Sequence, residues 1–217
     1  MRSLALALAA CSGSPPPAAP FCPKAGAALC ADFEASADPG AGFTGVIKHG
    51  MATGAVDTGT FVVRVPDDAT VSSAFAPYLE TSETAGEIEI DFSFRAESLP
   101  AIVTIAVVQY QQDQYAAGVQ IANHNLYVIE QRMGIIDSPW FVGRVATGEW
   151  HSYALVVSPT RRVLEAKIDG QALTFPVGAN QKFTLAGKKT LSIGIADSSA
   201  TLPATAVDFD DVTFFVR

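Results

Sequence analysis

The sequence predicts an all-β protein in which two antiparallel sheets pack face to face as a sandwich. Apolar and polar residues alternate in many short runs, and turn-forming Gly, Pro, Asn and Asp separate those runs. No long stretch keeps the apolar spacing of three and four residues that an amphipathic helix needs. About a dozen short strands joined by turns are typical of a two-sheet sandwich.

The clearest strand covers residues 87–95, where Ile88, Ile90, Phe92 and Phe94 fall on one face and polar side chains on the other. One polar face is typical of a strand in an antiparallel sheet. The same alternation predicts further strands at 60–65, 71–81, 102–110, 115–123, 126–132, 139–145, 150–158, 163–169, 172–177, 191–196 and 207–216.

Composition limits the classes of protein to which the chain can belong. Its 217 residues are enough for one sandwich domain with a leader and a tether. Hydrophobic residues make up 49% and charged residues 17%, which is typical of a globular rather than a disordered chain. A net charge of -8 argues against nucleic acid as a partner, because neutralising phosphates requires clustered Lys and Arg.

The first twenty residues have the features of a leader and a spacer. Residues 1–10 carry a positive start and a short apolar run, which is far below the about 20 residues needed to span a bilayer. Residues 11–20 contain three consecutive prolines and predict a semi-rigid extended spacer. The folded domain is therefore expected at 21–217.

The run Leu8-Ala9-Ala10-Cys11 resembles the cleavage box of bacterial lipoproteins. This resemblance implies cleavage before Cys11, a lipid on its thiol, and an exported protein anchored in the cell envelope at the outer membrane. The alternatives are an ordinary signal peptide with a chance cysteine, or a cytoplasmic start. In an exported chain the two remaining cysteines, Cys22 and Cys30, predict one disulfide.

Five stretches taken in order carry a second resemblance: 30–34, the early run 59–65, the Trp-led run 148–157, the run 163–170 ending in Asp-Gly, and the closing run 207–212. Together they resemble the concanavalin A-like lectin/glucanase superfamily in its laminin G-like branch. The resemblance implies a jelly-roll sandwich with Trp150 in the core. Lectins, lyases, glycosidases and adhesion modules share that fold, so the resemblance leaves the activity open.

In related carbohydrate-binding sandwiches a calcium ion often joins the first and last strands. The matching positions are Asp32 and Glu34 near the start of the domain, with Asp210 and Asp211 near its end. Carboxylate oxygens are suitable calcium ligands, so the resemblance implies a structural calcium ion. The alternative is a solvated acidic edge.

The closing strand gives a separate reason to expect an irregularity at the acidic pair. Val207 and Phe209 are out of phase by one residue with the apolar set Val212, Phe214 and Val216. A β-bulge near residues 210–211 would keep both sets in the core and aim both carboxylates to one side.

The run Glu89-Ile90-Asp91-Phe92 resembles part of the catalytic strand of laminarinase-type glucanases, in which two outer carboxylates do the chemistry. The position of the last acid holds Ser93, or Phe94 in the bulged variant, and neither can protonate a leaving sugar. We therefore expect a solvated strand face and no enzyme activity. A lyase that uses Tyr110, Tyr115, Tyr127 or His124 to abstract a proton is a third interpretation.

Sugar recognition usually needs an aromatic surface and a few planar polar groups. Candidate aromatics are Trp140, Tyr110, Tyr115 and Tyr127, and candidate amides are Gln109, Gln120, Asn123 and Gln131. We expect a non-catalytic, lipid-anchored module that binds a glycan. The alternative is a structural or protein-contact domain of an envelope lipoprotein. Exposed aromatics on the concave sheet would favour the first interpretation, and small or aliphatic residues there the second.

Overall fold

The structure is a computed structural model that describes residues 26–67, 69, 71–98, 102–132, 135–136, 139–177, 181–199 and 204–217. The predicted leader 1–10, the spacer 11–20, Cys11 and Cys22 lie outside these residues. The anchor and the disulfide between Cys22 and Cys30 therefore stay predictions. Among the described residues, no helix has the length and apolar character that crossing a membrane requires.

The first sheet, sheet I, contains the N-terminal and C-terminal strands of the described chain. Its strands are β1 Leu29–Ala31, β3 Thr53–Asp57, β4 Thr60–Val65, β6 Ile88–Ser98, β12 Trp150–Ser158, β13 Val163–Ile168, β14 Gln171–Pro176 and β16 Thr205–Val216. They lie side by side in the order β14-β13-β12-β6-β16-β4-β3, and β1 also pairs with β16.

The second sheet, sheet II, contains β2 Gly45–His49, β5 Ala74–Thr81, β7 Val103–Tyr110, β8 Tyr115–Ala122, β9 Asn125–Arg132, β10 Ile135–Ile136, β11 Trp140–Arg144 and β15 Lys189–Ser198. The strand order is β10-β9-β8-β7-β15-β5-β2, and β11 also pairs with β9. A short 3₁₀ turn at Gln111–Asp113 connects β7 to β8. The described pairings in both sheets are antiparallel.

The predicted two-sheet antiparallel sandwich is confirmed. Strands β4 and β12 have the predicted bounds, and the other predicted strands are present with ends shifted by a few residues. The sequence pattern does not predict β2, β3 or β10. The first two are partly exposed strands at sheet edges, where both faces carry polar or small residues and the alternation is weak.

Aromatic side chains fill the space between the sheets. Phe61 and Phe209, on neighbouring strands of sheet I, are fully buried with ring centroids 5.6 Å apart. Phe33 packs on Phe61 at 5.3 Å, and Phe75 of sheet II reaches the same cluster at 6.1 Å. Burying such apolar surface is the main force that holds the two sheets together.

The two tryptophans do not occupy their expected places. Trp150, expected in the core, is 43% exposed on the outer face of sheet I, with the Arg95 guanidinium 5.1 Å from its ring. Trp140, expected on a ligand-binding surface, packs against the core and stacks on Phe175 of sheet I at 5.4 Å. The expectation for Trp150 is wrong because its neighbours Tyr153, Leu155 and Val157 face the core and have the opposite parity.

One buried ammonium group fixes the connection that precedes β15. Lys189 is fully buried, and its Nζ donates hydrogen bonds to the carbonyl oxygens of Glu83, Leu185 and Gly187 at 2.7, 2.5 and 2.7 Å. Burial lowers the pKa of Lys189, while Asp113 and Glu83 act in the opposite direction. The three carbonyls satisfy the buried charge, so the segment 183–188 is held against the end of sheet II.

Candidate functional site

The outer face of sheet II presents small and polar side chains in rows that cross the strands. Paired residues on neighbouring strands point to the same face, so strand register defines each row. One row runs Thr190, Gln109, Ala116, Gln131, and the next runs Tyr78, Ser192, Val107, Gly118, Ile129. A third row joins Asp197, Thr104, Gln120 and Tyr127.

Two adjoining clefts lie over these rows. The larger has a volume of about 370 Å³ and is lined by Gln109, Gln111, Gln114, Gln131, Ala116, Tyr110 and Tyr115. The smaller, of about 190 Å³, is lined by residues that include Thr104, Val107, Gly118, Ile129, Ser192 and Asp197. Gln109, Ala116 and Gln131 line both, so the clefts form one continuous depression. We call this depression the amide groove.

Small residues on β8 form the floor of the groove. A Cβ atom at Gly118 would lie 3.1 Å from the Ala106 carbonyl oxygen and 3.3 Å from the Ile129 side chain. Ala116 and Gly118 therefore leave the centre of the sheet low, while longer glutamines rise on both sides. Glycine inside a strand often marks a place where a ligand or another backbone approaches closely, and at Gly118 the neighbouring Ala106 carbonyl is such a backbone group.

The amides at the wider end are held in position. The Gln111 Nε2 donates to Thr190 Oγ1 at 2.9 Å, which leaves the Gln111 carbonyl oxygen free to accept. Asp113 accepts hydrogen bonds from the backbone nitrogen and hydroxyl of Thr184 at 2.7 and 2.8 Å. These contacts fix the 3₁₀ turn, and with it the glutamines that the turn carries.

The predicted aromatic surface is corrected by the burial of two tyrosines. Tyr110 and Tyr115 are only 1% and 2% exposed, and their rings pack edge to face with Phe183 at 5.1 and 4.8 Å. Burial raises the pKa of both phenols well above the ordinary value. They belong to the core, since the bulk of each ring is turned away from the groove, and neither phenol is placed to abstract a proton.

Tyr127 and Asn123 lie where a ligand can reach them. Tyr127 is half-buried on the outer face of sheet II, edge to face with the exposed Phe141 at 6.0 Å. Asn123 is exposed at the two-residue turn between β8 and β9, with φ of 49°. Neither residue lines the groove itself, so their part in binding stays a prediction.

Asp197 is the acidic group of the narrower cleft. Much of the residue is exposed to solvent, but its carboxyl is partly desolvated, which raises its pKa. The Ser198 backbone N–H and the charge of His49 act in the opposite direction. Thr104 and Ser192 add hydroxyl groups to the same cleft. The groove can therefore donate and accept many hydrogen bonds while carrying little charge.

Of the four predicted calcium ligands, Asp210 and Asp211 lie on β16, and Asp32 and Glu34 follow β1 near enough for their charges to act on Asp210. Burial raises the pKa of Asp210 to about 6, and the charges of Asp211, Asp32 and Glu34 add to the effect. The predicted bulge is present, because the register of β16 against β6 shifts between Asp210 and Thr213 and Asp211 has φ of 53°. Within the described residues, however, no three His, Cys, Asp or Glu side chains stand close enough to bind one metal ion.

The two acids of the glucanase-like run, Glu89 and Asp91, lie on the outer face of sheet I beside a separate cleft of about 460 Å³, while Ile90 and Phe92 face the core. The expectation of a solvated face is wrong for Glu89, which is only 6% exposed and forms an ion pair with Arg217. Asp91 and Lys167 line the same cleft. Phe94 points into the core on the opposite face and is fully buried, so it contributes nothing to this surface.

Comparison with known proteins identifies relatives at the level of fold. No family model and no curated protein matches the sequence. Among solved structures, the family 7 alginate lyase A1-II′ is similar, with a TM-score of 0.56 and 11% identity over 76% of this chain and 83% of that one. The chain therefore shares with that structure the fold of a two-sheet antiparallel β-sandwich.

Two other similar structures extend the range of proteins with this fold. A sialidase matches with a TM-score of 0.52 and 10% identity over 79% of this chain, which spans 16% of that much larger chain. A carbohydrate esterase from a Shiga toxin-encoding bacteriophage matches with a TM-score of 0.50 and 16% identity, over 80% of this chain and 90% of that one.

These comparisons correct the expectation that the chain is not an enzyme. Several of the structures that share its fold over three quarters of its length are alginate lyases, which are catalysts. The lack of a second catalytic carboxylate near Glu89 argues only against a glucanase-type active site on sheet I. At 11% identity the likeness itself establishes the fold and not the reaction.

Only some of the residues that line the groove can be predicted from the sequence. Gln109 and Gln131 are predicted as candidate amides. Gln111 and Gln114 lie in the turn after β7, where the alternation of a strand does not predict the direction of a side chain. The glycine in the middle of β8 is the available signal for the floor, because glycine weakens a strand unless something must approach it.

The raised pKa of Asp210 predicts a pH-dependent stability. A carboxyl with a pKa of about 6 in the folded state and about 4 unfolded binds protons more tightly when folded, so its contribution improves as pH falls. We expect Asp210→Asn to raise the Tm at pH 7.5 in EDTA, and to raise it less at pH 5. Thermal melts followed by circular dichroism measure both values.

Asp67→Asn is the matched control, because Asp67 is exposed in the connection between β4 and β5. It should leave the Tm nearly unchanged at both pH values. An equal effect of Asp210→Asn at pH 7.5 and pH 5 would show that Asp210 does not titrate in this interval.

Proposed function

We propose that this protein binds a polysaccharide along the amide groove of sheet II. The observation that carries the proposal is the continuity of the groove across Gln109, Ala116 and Gln131, which makes one depression that crosses strands β7, β8 and β9. Grooves that cross a sheet suit extended polymers, whereas a closed pocket suits a small ligand.

The chemistry of the lining supports a carbohydrate ligand. Each glutamine amide offers both a donor and an acceptor, which can pair with neighbouring hydroxyl groups of a sugar ring. The apolar side chains of Val107, Ile129 and Ile47 can pack against the C–H faces of the rings. The alginate lyases and the carbohydrate esterase that share the fold act on carbohydrates by name, which agrees with this choice.

The groove does not have the aromatic surface first expected of a sugar-binding module. Its floor consists of small residues, which by itself would suit a structural or protein-contact domain. The amides favour the first interpretation, because a row of hydrogen-bonding groups in a recess is typical of polar ligand recognition and not of a protein contact with an apolar centre.

The proposal predicts that the double variant Gln109→Ala, Gln131→Ala loses affinity for any polysaccharide that the full chain binds. Each amide–hydroxyl bond contributes about 1 kcal/mol, so the two losses together should weaken Kd by about 10- to 30-fold. Affinity electrophoresis against a polysaccharide panel finds the ligand, and isothermal titration calorimetry measures the change.

Gln171→Ala is the control. Gln171 is an exposed amide on β14, the edge strand of sheet I, whereas the groove lies on the outer face of sheet II. Its affinity should equal that of the unmodified chain. The same panel is assayed for newly formed reducing ends, which detects cleavage. Absence of binding to every polysaccharide by folded protein would overturn the proposal and favour the structural interpretation.

We propose further that the acidic cluster of Asp32, Glu34, Asp210 and Asp211 binds calcium. Burial is the main cause of the raised pKa of Asp210, and the charges of Asp211, Asp32 and Glu34 add a repulsion that a divalent cation would relieve; the side chains would have to draw together to bind it. Calcium should raise the Tm of EDTA-treated protein at pH 7.5, with little effect on Asp210→Asn. An unchanged Tm of the unmodified chain would refute calcium binding.

A lipid anchor on Cys11 remains our proposal for the location of the protein in the bacterial envelope. It rests on the lipoprotein-like run 8–11 and the proline-rich spacer that follows. Expression in a bacterium fed labelled palmitate should label the chain, and Cys11→Ser should abolish the label while Cys22→Ser retains it. Label that persists in Cys11→Ser would contradict the anchor.

A further inference from the structure

We infer that the amide groove selects uncharged polysaccharides and rejects polyuronates. The inference rests on the proposed function, and it specifies the class of polymer that the groove accepts. The charged side chain in the groove is the acidic Asp197, whereas a polyuronate would need Arg or Lys side chains there.

A polyuronate brings one carboxylate with every sugar unit into the recess. Removing these carboxylates from water is costly unless Arg or Lys side chains pair with them, commonly through two parallel hydrogen bonds. None of the described residues that line the two clefts is a lysine or an arginine. The internal residues outside the described ranges contain no lysine or arginine in the sequence either.

Two cations close to the groove in the sequence, Lys188 and Lys189, are already engaged, and Arg132 beside Gln131 also has an interaction partner. Lys189 is buried and donates to three backbone carbonyls. Lys188 lies at the same end of β15 and forms an ion pair with Glu80 at 2.5 Å. Neither ammonium group can turn to a ligand without giving up these partners.

The charge that the groove does contain has the wrong sign for a polyanion. Asp197 lines the narrower cleft, and the chain as a whole carries a net charge of -8. A uronate beside Asp197 would meet a like charge in a recess partly shielded from water, where repulsion is stronger than on an open surface. Hydroxyl groups of a neutral sugar can instead donate to the same carboxylate.

The test compares neutral with anionic polymers and includes one pair, esterified and de-esterified polygalacturonate, that shares a backbone and differs in charge. The full chain is titrated with highly methyl-esterified and with de-esterified polygalacturonate, and with neutral glucan, xylan and mannan beside alginate. We expect binding to at least one neutral polymer, and at least about tenfold weaker binding to each polyuronate. Binding to the neutral polymer should be the same at low and at high ionic strength, because no ion pair contributes.

A gain-of-binding variant tests the same cause directly. Gln131→Arg places a guanidinium in the part shared by both clefts and should increase affinity for polyuronate, in a manner that high salt reverses. Gln171→Arg adds the same charge to the edge of sheet I and should not.

The outcomes separate this inference from the proposed function. A polyuronate that the unmodified chain binds as tightly as its best neutral polymer would overturn the inference and leave the groove as the binding site. Failure to bind any polymer would overturn both. Equal gains from Gln131→Arg and Gln171→Arg would show that net charge, and not the groove, governs selection, which also contradicts the inference.

Discussion

The alternation along β8 is the constraint on which both the core and the candidate site depend. Tyr115, Ala117, Val119 and Ile121 point inward and are buried, so the residues between them must form the outer surface of sheet II. Because the period of a strand is two, a shift of one residue would bury Ala116, Gly118 and Gln120 and expose the core residues. The floor of the groove is therefore fixed by the packing of the two sheets.

The walls of the groove depend on contacts of a different kind. The turn after β7 and the connection before β15 carry few apolar side chains, so burial alone does not hold them. Lys189 joins three carbonyls of that connection and of the segment before β6, and Asp113 ties the turn to Thr184. Polar contacts within a buried network fix geometry strongly, because each broken bond leaves a group unsatisfied. The position of Gln111 depends on this network.

The sequence predicts the fold well because alternation reports on strands directly, and it predicts side-chain facing less well. Four consecutive residues of β12 are apolar, namely Ala154, Leu155, Val156 and Val157. Either face of the strand could therefore pack in the core, and the alternation of apolar and polar residues does not show to which face Trp150 belongs. Only the pairing of β12 with β6 shows which face of β12 points inward. Tyr153 pairs with the buried Phe92, so Tyr153 faces the core and Trp150 the outer surface. The bulge near Asp210 was predictable because the apolar residues before and after it are out of phase. The groove was only partly predictable, since Gln111 and Gln114 lie in a turn.

The two outer faces of the sandwich differ in how their charges are used. On sheet I, arginines engage carboxylates across strands, as Arg95 does with the buried Asp208 and Arg161 with Glu87. Such pairs occupy the hydrogen-bonding groups of that face, and a ligand would have to displace them at the cost of leaving a charge unpaired. The outer face of sheet II carries amides and hydroxyls that exchange readily between water and a ligand. Within the groove the proposed ligand would meet amides and hydroxyls rather than ion pairs, although Lys188 pairs with Glu80 beside it, so a hydroxyl-rich polymer suits sheet II better than sheet I.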